Sequence, residues 1–154
     1  MLHDMLRRIL RNMDLSENEI DESIYDAMLL SVDVAHALHP NKKEKMDITN
    51  MPVMGKGFCI KQACSQSYAT DAQAIAILCQ LCDEKGIPYQ RFVNRSDSRG
   101  GSTLGSIAGT LLPVKTVDIG IPILAMHSAC ELMGVRDMKA LSDCVTAFFG
   151  YLGK

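Results

Sequence analysis

The sequence carries no surplus of positive charge: 16 lysines and arginines stand against 18 aspartates and glutamates, a formal net charge of -2. That balance excludes a nucleic-acid binder working through bulk electrostatics, which needs a basic footprint. No apolar run approaches the ~20 residues of a membrane-spanning helix. No secretory leader is visible either, because MLHDMLRRILRN is too charged for the apolar core of a signal peptide. A cytoplasmic, reducing setting is therefore expected. A hydrophobic content of 47% with so little net charge excludes a disordered chain. Repeats, low-complexity tracts and linkers are also missing, so residues 1–154 read as a single unit able to bury its own core.

What is present begins with six cysteines. Cys59 and Cys64, followed by Cys79 and Cys82, have a spacing that a zinc ribbon can use, since four thiolates must converge on one ion. The second pair, however, lies in AQAIAILCQLCDEKG, where Ile75, Leu78 and the two cysteines recur at helical spacing. Core packing of small apolar thiols is the expectation.

The apolar periodicity gives a coarse element order. Residues 1–27 read as helical, with Leu2, Met5, Leu6, Ile9 and Leu10 on one stripe and a break at 14–18. Ser16 with Glu19 makes a capping box for the second helix. AMLLSVDVA reads as a buried strand ending at Asp33. A short strand over GKGFCIKQA and a long helix over 67–84 follow, the helix stopped by Gly86 and Pro88. YQRFVN and KTVDIG read as strands, SIAGTLL and DMKALSDCVTAFFGYL as helices. The alternation predicts an α/β fold, a layered sheet flanked by helices.

Three stretches hold ligand-type side chains. In SVDVAHALHPN, Asp33 and His36 would share a face if the chain turns helical after Asp33, as zinc ligands or as a capping aspartate with backbone-bonded histidines. NRSDSRGGSTLG is a glycine-rich turn into a helix whose N–H groups could cradle an anion, though it lacks the lysine of a nucleotide-binding P-loop. AMHSACE places His127 after an apolar run, where a hydrogen-bonded core histidine is the alternative.

Together, S-V-D-V-A-H-A-L-H-P-N, D-S-R-G-G-S-T-L-G and D-I-G-I-P-I-L-A-M-H-S, in this order, resemble the M18 family of zinc aminopeptidases, the aspartyl aminopeptidases. The resemblance runs from about residue 5 onward and covers only the C-terminal part of the family's catalytic domain. It implies a zinc-peptidase fold of the phosphorylase/hydrolase-like kind, two zinc ions, a large homo-oligomer and a peptide substrate that loses an N-terminal, acidic residue. It also implies roles. Asp33 matches a ligand to one zinc and His127 a ligand to the other, while His36, Lys61 and Tyr68 match substrate-binding residues. A lysine ammonium attracts a substrate carboxylate, and a tyrosine or histidine donor can stabilise a developing oxyanion.

The family's first metal histidine, bridging aspartate and Glu-Glu pair have no counterpart: residues 1–32 hold His3, Asp4, Asp14 and Glu22 in no matching pattern. The general-base glutamate is absent, and so is the inserted dimerisation domain. Lys42 replaces an aromatic, Met46 a histidine and Cys130 an arginine of the family pattern. The expectation is thus an M18-like C-terminal fragment, inactive alone and in want of an N-terminal half. The alternatives are a non-enzymatic remnant or oligomerisation module with the same fold, and an unrelated anion-binding α/β domain.

Overall fold

The computed structural model describes residues 1–98 and 100–151. Helix α1 (Leu2–Asn12) and helix α2 (Glu17–Asp26) open the chain. Ser16 caps α2 as predicted: its hydroxyl accepts the Glu19 N–H at 3.4 Å, and its own N–H donates to Glu19 Oε2 at 2.8 Å. The apolar stripe of α1 divides. Leu6 and Leu10 pack with Ile20, Ile24 and Leu112, whereas Leu2, Met5 and Ile9 stay exposed.

The remaining elements are β1 (Met28–His36), β2 (Phe58–Gln62), α3 (Ala72–Lys85), β3 (Tyr89–Val93), α4 (Leu104–Leu111), β4 (Lys115–Leu124), β5 (Leu132–Met133) and α5 (Val135–Phe149). They form the expected α/β architecture around a mixed sheet of order β1-β4-β2-β3, with β5 paired to β4. β1 and β4 are parallel, β2 and β3 are parallel, and β2 runs antiparallel to β4.

Three boundaries differ from the sequence reading. β1 does not stop at Asp33 but stays extended to His36, because its pairing with β4 continues to Ile123. Nor is it a buried strand: it lies at the sheet edge and only Ala35 is buried. The centre belongs to β4, which absorbs the apolar IPIL segment as well as KTVDIG. Finally, α3 begins at Ala72, where Asp71 accepts the Ala74 N–H at 2.9 Å as the cap. Residues 67–71 are therefore a loop. The stop at Gly86 is as expected, with left-handed backbone at φ +65°.

The main core packs Phe58 and Ile60 of β2 and Val117 and Ile119 of β4 against Leu78 and Cys82 of α3 and Leu141 and Cys144 of α5. Cys82 and Cys144 meet at 3.8 Å between sulfurs, both buried, while Cys79 packs at the margin. Cys59 is buried and Cys64 exposed. Among the described residues no set of three His, Cys, Asp or Glu side chains could hold a metal ion, which removes the ribbon reading.

A long-range tie sets the entry to β2. Asp137, fully buried in the first turn of α5, accepts the Gly55 N–H at 2.6 Å and the Gly57 N–H at 2.7 Å. Gly57 has φ +104°, and a Cβ there would fall 2.1 Å from the Pro88 carbonyl oxygen, so only glycine fits.

Candidate active site

Parallel pairing brings the C-terminal ends of β1 and β4 to one edge of the sheet. Asp33 and His36 lie on β1, and His127 follows β4 by three residues. Because β1 is extended there, the odd separation of Asp33 and His36 sends their side chains to opposite faces rather than one helical face. Gly120 of β4 is the register partner of both Asp33 on β1 and Cys59 on β2. A Cβ on it would approach the Val34 carbonyl carbon to 2.7 Å, so its bareness lets the strands close up.

Lys61 crosses from β2 to β1 at this narrow place. Its Nζ donates to the Val34 carbonyl at 2.9 Å and lies 3.4 Å from Asp33 Oδ2. The same ammonium sits 4.5 Å from the centroid of the Tyr68 ring. Lys61 is only 2% exposed, whereas the Asp33 side chain is 51% exposed. One end of the ion pair thus faces solvent and the other is sealed. Phe92 joins the neighbours, with its ring 6.2 Å from Tyr68 and 6.3 Å from His36.

The electrostatics follow from this crowding. Desolvation lowers the His36 pKa, and the Lys61 ammonium and His127 lower it further, favouring the neutral imidazole. Burial raises the Tyr68 pKa; nearby Asn94 pulls it down, and the carboxylates of Asp118 and Asp33 push it up. His127 is exposed at a backbone φ of +66°, and Ala125 sits at φ +57°. Two left-handed non-glycine residues so close together are uncommon, and such strain concentrates at functional sites. The turn is held by the Ser128 N–H donating to the Ala125 carbonyl at 3.0 Å and the His127 N–H donating to Glu131 Oε1 at 2.5 Å.

The structure therefore brings Asp33, Lys61 and Tyr68 into one contact group, with His36 linked through Phe92. His127 stands near His36 without joining a ligand set with Asp33. Sequence reasoning missed Asp118 as a positioning residue. Fully buried on β4, it accepts the Ala69 N–H and the Thr103 hydroxyl, both at 2.7 Å, and so anchors the loop that carries Tyr68. Its signal was a lone aspartate in an otherwise apolar strand. A Cβ on Gly105 would come within 2.9 Å of Asp118 Oδ1, so the bare glycine lets this carboxylate lie against the first turn of α4. Arg99 of the glycine-rich loop lies outside the described residues.

A family model described as "Aminopeptidase I zinc metalloprotease (M18)" matches residues 1–149. The chain belongs to the M18 family. Membership overturns the alternative of an unrelated anion-binding domain. A probable M18 family aminopeptidase 2 of Clostridium novyi (strain NT) is 47% identical over 137 residues, covering 89% of this chain and 32% of that protein. Among solved structures, one chain of the cryo-EM complex of Ape4 and Nbr1 superposes with a TM-score of 0.91 at 33% identity, covering 97% of this chain and 28% of that one. The S. cerevisiae mApe1 dodecamer superposes at 0.71 with 27% identity, covering 80% and 27%. The chain thus spans about a third of the length of the curated M18 relatives it matches.

M18 proteins are zinc metalloproteases, so the fit of the donor set matters. Catalytic zinc takes three protein ligands and leaves a position for water. Asp33 is a half-exposed carboxylate whose ion-pair partner is Lys61, and His127 is an exposed imidazole. Neither belongs to a set of three converging donors among the described residues. The residues present do not make a zinc site by themselves.

Proposed function

We propose that residues 1–154 form a single unit corresponding to the C-terminal part of an M18 catalytic domain, without the inserted dimerisation domain. In this reading Asp33 and His127 each supply one donor to a different ion of a two-zinc centre. The remaining ligands and the general-base glutamate come from an N-terminal half of the peptidase. The completed enzyme is a cytoplasmic homo-oligomer that removes acidic N-terminal residues from peptides. The observation that carries the reading is the solvent-open carboxylate of Asp33 beside the sealed Lys61–Tyr68 contact, within a chain of M18 sequence.

This chain's own part is positioning. The Lys61 ammonium sets the orientation of Asp33, and Tyr68 and His36 line the approach. His36, kept neutral by its surroundings, donates a hydrogen bond without carrying a charge of its own. Alone, the chain lacks a base to activate water and hydrolyses nothing. The test is aspartyl-4-nitroanilide turnover by the zinc-loaded chain, alone and mixed with the corresponding upstream segment of the C. novyi relative. Activity only on mixing is expected; turnover by the chain alone would sink the proposal.

A second reading, an oligomerisation module without chemistry, is favoured by one feature. Leu104, Ile107 and Leu111 of α4 are all exposed beside the edge strand β1. Metal-independent assembly with no gain of activity on mixing would support it instead.

A further inference from the structure

Lys61, the lysine assigned to an acidic substrate by resemblance, is committed to Asp33, the Val34 carbonyl and the Tyr68 ring. The cations that reach solvent lie next door, in a recess of about 250 Å³ between the end of β1 and the loop after β3. Its walls are His39, Lys42, Lys45, Asn94 and Arg95, and it opens beside His36. Among the described residues no carboxylate lines it. Apolar floor residues Phe92 and Met46 exclude water from one side, which strengthens any charge pairing made there.

The groups around the recess differ in how far their charge is already spent. Arg95 is held by Asp97, and Lys42 lies 3.7 Å from Glu44 with most of its side chain in solvent. Lys45 makes no ion pair among the described residues. The His39 Nδ1 accepts the Asn41 N–H at 3.1 Å, which leaves the ring proton on Nε2 as a donor. Asn94 Nδ2 is buried and has no hydrogen-bond partner among the described residues, its side chain lying near Tyr68 without meeting bonding geometry. A buried donor left unpaired is costly and needs an explanation; an acceptor entering this recess would supply one.

We infer that the recess binds a carboxylate of a peptide, an acidic side chain separate from the residue that is cleaved off. Lys42 and Lys45 supply the charge, and Asn94 and His39 supply directed hydrogen bonds. Planar carboxylate suits amide and imidazole donors that approach from two sides. The identity of the ligand as peptide rests on the peptidase reading above; the anion site itself stands on the recess.

The experiment uses the metal-free 154-residue chain, titrated by NMR with acetyl-Ala-Asp-Ala-amide, its Asn isostere and inorganic phosphate. The blocked amino terminus keeps the metal centre out of the measurement, so failure here and failure of the mixing assay are distinguishable. The Asp peptide is expected to bind about tenfold or more tightly than the Asn peptide, with shifts at Asn94 and Lys45 and weakening by added salt. The double variant K42Q/K45Q, at two exposed positions, should abolish that discrimination with unfolding temperature unchanged. Equal binding of the two peptides, discrimination surviving in K42Q/K45Q, or phosphate binding as tightly as the Asp peptide would each overturn the inference.

Discussion

Strands β1 and β4 pair in parallel from Met28↔Lys115 to His36↔Ile123, yet they live in different environments. β4 is buried at every position between its two ends, whereas β1 is buried only at Ala35. The difference is cover. β4 has α3, α5 and β2 around it, while β1 has a free edge and the small helix α4, whose Leu104 is 79% exposed. One side of the sheet is a finished core; the other shows apolar side chains and unpaired backbone that another surface is needed to satisfy.

The contrast is sharpest in stability. Ile119→Ala, in the closed core, is expected to cost about 2–5 kcal/mol, against under about 0.5 kcal/mol for Val32→Ala on β1. Urea unfolding checks both, and similar losses would dissolve the distinction. Next comes Asp137→Asn, which removes an acceptor from the Gly55 and Gly57 N–H groups. The expected loss is about 1–3 kcal/mol, with faster hydrogen exchange at those two amides. On the open side, I107E/L111E should leave unfolding nearly unchanged but convert a self-associating chain to a monomer in sedimentation. A monodisperse wild-type monomer would show that the exposed face needs no cover.

The smallest effect is a pH response in the loop beyond β1. Hydrogen bonds from Asn50 and Thr49 hold the Asp47 carboxyl at about 2, below its ordinary 3.8. A depressed folded pKa means that the stabilisation is complete above the unfolded value and drains away as pH falls through that window toward about 2. Asp47→Asn should flatten the slope of unfolding temperature against pH there, because the small stabilisation from the ionised carboxylate is then missing at neutral pH as well.

Local rules read well from the sequence because their partners are near. Ser16 and Glu19 cap α2, Gly86 ends α3, and Cys82 packs into the core, all as spacing predicts. The edge position of β1 was not legible, since apolar content reports that a strand wants burial and not which neighbours it receives. The candidate site divides in the same way. Motif resemblance selected Asp33, His36, Lys61, Tyr68 and His127, and four of these gather at one end of the sheet through direct contact or through Phe92. The partners of the buried Lys61, the Val34 carbonyl and Asp33, lie two strands away across β4, a placement that tertiary pairing decides. The roles of Asp118, Asn94 and Asp137 depend on partners far along the chain, and no periodicity encodes them.

Asp137 also bears on the order in which the molecule is made. Residues 135–149 leave the ribosome after every strand of the sheet. Until they do, the turn into β2 holds two backbone N–H groups without their acceptor, and Phe58 and Ile60 lack part of their cover. Until that helix docks, this apolar face of the sheet stays open and the turn at Gly55 and Gly57 lacks its anchor.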